Sequence, residues 1–124
     1  MTRTRLELLQ WFALLGGALA WTLDHVLGYF VSDGGCSPQV EHWGIDAGLW
    51  GGLLTGFSAV AVLAAQAAAV VVYRATNGVA HDAPGPEGRL RFFATAALVG
   101  NVLFLMLVGL DGLGSLAHLP CAQA

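Results

Sequence analysis

Polar positions in this chain come in clumps, and between the clumps lie three long apolar blocks at about residues 8–31, 47–73 and 92–110. Their interruptions are few. The first block carries Asp24 and His25 late in its course, the second a single amide, Gln66, and the third a single amide, Asn101. At 1.5 Å rise per residue the blocks make helices of roughly 36, 40 and 28 Å, each able to cross ~30 Å of hydrocarbon. Helix is imposed there, because a lipid-exposed backbone must bond its own polar groups. The pattern predicts an all-α membrane protein, a bundle of three transmembrane helices forming one domain over residues 1–124.

Composition agrees. Of 124 residues, 56% are hydrophobic and 10% charged, against about 25% charged in soluble domains. There is no lysine, and the five arginines are Arg3, Arg5, Arg74, Arg89 and Arg91. No basic stripe exists to release counterions from a phosphate backbone, which excludes nucleic acid as a partner. Three spans put all five arginines on one side, which the positive-inside rule makes cytoplasmic, with the N-terminus in and the C-terminus out. Asp33, Glu41, Asp46 and Asp111 then gather outside. Trp43 and Trp50 fall at the outer interface and Trp11 near the inner one, as an aromatic belt requires. The basic start and Ala18-Leu19-Ala20 also fit a cleaved secretory signal, but Glu7 in the n-region and the apolar residues beyond argue for a retained span.

An outer loop is expected from Ser32 to Asp46 and an inner loop from Thr76 to Gly88, with Asn77-Gly78 and Pro84-Gly85-Pro86 marking turns. The stretch after Gly112 is expected to lie along the membrane surface. Cys36 and Cys121 both fall outside, in an oxidising compartment where disulfides persist. A bridge between them would join the first outer loop to the C-terminus; in the chain-entropy model so long a loop is worth about 4 kcal/mol, and less in a membrane. A metal site using both thiolates lacks any CxxC spacing to support it.

Gly48, Gly52 and Gly56 recur every four residues, and Val60, Ala64 and Ala68 continue the stripe. Small residues let helices approach closely where lipid removes the hydrophobic drive, so this is a helix-packing seam, for an internal helix or for another subunit. Gly16-Gly17 and Ala20 offer a smaller one. Gln66 and Asn101 sit at nearly equal depth and are expected to bond each other, an interaction worth about 0.6 kcal/mol.

The chemistry-bearing candidates cluster near the outer interface. Asp24 and His25 are ionisable residues within a span, where charge is costly, and His25 shares a helix face with Trp21 and Tyr29. His42, His118 and Asp111 are outside as well. The cluster suits a polar contact within the subunit or with a neighbour, a quinone or lipid-headgroup site, or a haem or copper site. Only His25 lies in a span, so bis-histidine haem held by this chain alone is disfavoured. No serine or threonine has a base partner and no carboxylates pair at helical spacing, so no catalytic residue is assigned and an enzyme is not expected.

The run Gly16-Gly17-Ala18-Leu19-Ala20-Trp21, followed by His25, Tyr29 and Cys36 and closed by Leu119-Pro120-Cys121, resembles a group of small bacterial membrane proteins that accompany haem-copper cytochrome c oxidases and related respiratory complexes. The resemblance implies a non-catalytic accessory or assembly subunit of the bacterial cytoplasmic membrane, with Cys36 and Cys121 as the bridging pair. Haem or copper would then belong to the partner complex and none to this chain. The rival expectation is a small quinone- or haem-binding redox protein using Asp24, His25 and Tyr29.

Overall fold

A computed structural model describes residues 1–36 and 47–117. Three helices make up this part of the chain: α1 (Arg3–Cys36), α2 (Ala47–Ala75) and α3 (Pro86–Leu116). All three are long and apolar enough to cross a membrane. They run up, down and up, and each packs against the other two. Their axes are roughly 51, 44 and 47 Å long, so every helix exceeds the ~30 Å hydrocarbon thickness by about 14–21 Å.

The helices outrun the apolar blocks that announce them. Ser32, Asp33, Gly34 and Gly35, expected in a loop, are the last turns of α1, and Gly112 to Leu116, expected along the membrane surface, complete α3. Polarity ends a hydrocarbon span but not a helix. The connection between α2 and α3 follows its turn signals. Thr76 donates its hydroxyl to the Val72 carbonyl at 2.9 Å, and Gly78 takes φ 87° just beyond. Gly85, at φ 85°, then precedes Pro86 in the first turn of α3. Only glycine adopts that φ without strain, and proline has no N–H to leave unbonded there.

The interior face of each helix follows three- and four-residue steps: Gln10, Ala13, Gly17 and Asp24 on α1, then Ser58, Val62, Ala65, Ala69 and Val72 on α2. On α3 the face is Leu90, Ala94, Ala97, Asn101 and Val108. Such steps are the knobs-into-holes spacing of left-handed bundles. Alanine dominates this core, while the large side chains point out, Phe57 being 79% and Phe30 71% exposed. That distribution inverts the soluble pattern. Backbone approach and van der Waals packing hold the helices, and the apolar bulk faces lipid.

Close approach centres on Gly16 and Gly17. A Cβ at Gly16 would lie 3.1 Å from Ala65 Cβ, and one at Gly17 would collide with the Asn101 carboxamide oxygen. The glycine stripe on α2 behaves otherwise. A Cβ on Gly52 or Gly56 would meet nothing within 4 Å. The reason is helical pitch: a strict four-residue step turns by about 40°, so a line that is buried at Ala68 has reached the opposite face by Gly52.

Candidate functional site

One end of the bundle carries all five arginines. There the Glu7 carboxylate sits 3.2 Å from Arg3 Nε and 3.6 Å from Arg89, tying α1 to α3. Arg91, nearly buried, donates from one terminal nitrogen to the Tyr73 carbonyl at 2.7 Å and stacks 3.6 Å above the Tyr73 ring. That carbonyl belongs to the last turn of α2, the negative end of its dipole. A shallow surface groove of about 490 Å³, lined by Met1, Arg5, Leu8, Leu9 and Phe12, lies at this same end.

Midway along, Asn101 does not bond Gln66 as the sequence suggested. Its amide nitrogen donates instead to the Ala13 carbonyl of α1 at 3.0 Å, while Gln66 Oε1 and Asn101 Oδ1 have no partner among the described residues. Equal depth brought the two amides level, but α1 stands closer to Asn101 because Gly17 removes the side chain between them. Gln10, 1% exposed, is a further buried amide with neither end bonded. It escapes notice within an apolar block; the signal that finds it is its three-residue step to Ala13 and seven-residue step to Gly17.

The opposite, acidic end assembles the candidate site. Trp21, His25 and Tyr29 do share a face: the Trp21 and His25 rings stack at 5.2 Å and 25°, and Tyr29 meets the imidazole edge-on at 5.0 Å. Phe104 of α3 leans on Trp21 at 6.2 Å. His25 Nδ1 lies 3.6 Å from Asp111 Oδ2, so the ring is held by aromatic neighbours on its own helix and by a carboxylate on α3. Asp24, the next residue back, turns inward and is only 6% exposed. It lies within electrostatic reach of both Asp111 and His25. Its Oδ2 and the Trp21 indole N–H have no hydrogen-bond partner among the described residues.

The structure therefore joins Asp24, His25 and Tyr29 with Asp111 in one cluster and leaves Gly52, Gly56 and Gln66 elsewhere. His42 and His118 lie outside the described residues, as does Cys121, so the expected Cys36–Cys121 bridge does too. Among the described residues no three His, Cys, Asp or Glu side chains stand together to hold a metal ion. The cluster offers acceptor oxygens, one imidazole Nε2 and an indole donor, a set suited to binding a cation or a hydrogen-bonding headgroup. The chain matches no protein-family profile, no curated protein and no solved structure.

Proposed function

We propose that this chain is a non-catalytic accessory or assembly subunit of a larger membrane complex. The observation that carries this reading is the pair Gly52 and Gly56 on α2, where an added Cβ would meet nothing within 4 Å among the described residues. Glycines on a lipid-facing surface contribute little to lipid contact but allow a second helix to approach closely. The sequence resemblance points to a respiratory complex, with haem or copper held by the partner. The positive-inside rule places the arginine end in the cytoplasm of a bacterial cell and the acidic end outside. Cys36 and Cys121 then share an oxidising side, where a bridge is favoured.

The test is purification by an N-terminal affinity tag after gentle detergent extraction, with mass spectrometry of whatever accompanies the chain. Stoichiometric redox subunits support the proposal and name the complex. Gly52→Leu should cut their recovery at least several-fold, while Asp82→Asn in the α2–α3 connection leaves it unchanged. Equal recovery from the two variants removes the packing stripe from the argument. Recovery of the chain alone, with a bound chromophore or quinone lost in His25→Ala, would replace this reading with the redox one.

A further inference from the structure

We propose that Asp24 and Asp111 form a binding site for the primary ammonium headgroup of a phospholipid, in the leaflet at the acidic end of the bundle. The charge balance comes first. Among the described residues, two carboxylates from α1 and α3 lie within electrostatic reach of one imidazole, His25. The only charged residue of α2 is Arg74, at the far end, where the other arginines also lie, and the chain has no lysine. No ammonium or guanidinium of this protein reaches the pair.

An unmet acceptor points to a ligand independently of the charge count. Asp24 is 6% exposed and its Oδ2 receives no hydrogen bond among the described residues, although it faces Asp111 and His25. A buried carboxylate oxygen left bare is among the costlier groups a fold can carry. Asp111 is the exposed member of the pair: its side chain is 34% exposed, and it lies within electrostatic reach of Asp24. An ammonium has three N–H donors, enough to serve an oxygen of each carboxylate.

Depth selects the source of that ammonium. Asp24 lies nineteen residues from Arg5 and Asp111 twenty from Arg91, about 29 and 30 Å along their helices. With the arginines at one edge of a ~30 Å hydrocarbon layer, the carboxylates stand at the other edge, level with lipid headgroups. Leu23 on α1 and Leu107 and Leu110 on α3, all exposed, stand just toward the arginine end of the pair, where acyl chains would run. A lipid brings both the cation and the apolar body to this depth without any other protein. The inference is independent of the subunit reading, since it concerns the chain alone.

The discriminating pair of probes is phosphatidylethanolamine and phosphatidylcholine with identical acyl chains. Their phosphates match and both headgroups are cationic at nitrogen, but the trimethylated one has no N–H to donate. Delipidated chain in detergent, titrated with each and read by native mass spectrometry, should retain the ethanolamine lipid about tenfold more strongly, the equivalent of one charge-assisted hydrogen bond. Asp111→Asn should abolish that preference, with circular dichroism confirming that the helices persist. His25→Gln, which removes the competing imidazole, should keep or enlarge it. Equal retention of the two lipids by the unaltered chain overturns the proposal, whatever the variants do. So does a preference that survives in Asp111→Asn. Equal lipid retention, with a lysine- or arginine-bearing membrane protein that co-purifies and is lost in Asp111→Asn, would assign the site to a protein cation instead.

Discussion

The two ends of this bundle treat buried charge in opposite ways. At the arginine end, Arg91 is nearly buried yet bonded to the Tyr73 carbonyl and stacked on its ring, and Glu7 is shared between Arg3 and Arg89. At the acidic end, Asp24 is as deeply buried, but among the described residues its Oδ2 is unbonded and Asp111 has only the His25 ring, at 3.6 Å. The first arrangement bonds across helices and holds them together, with Arg91 Nε left without a partner among the described residues. The second leaves carboxylate oxygens on Asp24 and Asp111 unbonded among the described residues, which is the basis of the proposed ammonium site.

The comparison breaks most visibly at the arginine end. Arg91→Ala removes a charge-assisted bond and a cation–π contact where neither is exchanged for water. We expect a loss of about 2–3 kcal/mol, read as a lowered unfolding midpoint in lipid or detergent. A loss below about 0.5 kcal/mol would mean that the two ends are not different in kind. Midway, Asn101→Ala removes the one described side-chain bond from α3 to the α1 backbone, and should cost about 0.6–1.7 kcal/mol by the same measurement. The effect should vanish in a Gly17→Ala background, where the added methyl already displaces the amide from the Ala13 carbonyl.

Much of this was legible in the sequence, and the misses have physical causes. Three apolar blocks gave the helices, since hydrocarbon leaves the backbone no alternative, and the spacing of Trp21, His25 and Tyr29 gave their shared face. The glycine stripe on α2 was legible as a stripe, but the outward turn of Gly52 and Gly56 was not, because a four-residue repeat drifts around a 3.6-residue helix. The bond between Asn101 and Ala13 was hidden because depth can be counted along a helix, whereas its rotation toward a neighbour depends on packing. The inward turn of Asp24 beside outward-facing His25 is the same problem in miniature: adjacent residues differ by about 100° in direction, and only the contacts of α3 decide which one is buried.

Asp24→Asn sharpens the comparison through the smallest effect. If the carboxylate has no partner inside the chain, exchanging it for an amide of equal size removes an uncompensated charge and gives up no bond. In phospholipid-free detergent the variant should therefore match the unaltered chain or exceed it by up to about 1 kcal/mol. Adding phosphatidylethanolamine should then stabilise the unaltered chain more than the variant, because only the former offers both carboxylates to the ammonium. The sign carries the information. A variant destabilised by more than about 1 kcal/mol without lipid would show that Asp24 is bonded within its own chain, and the acidic end would then resemble the arginine end.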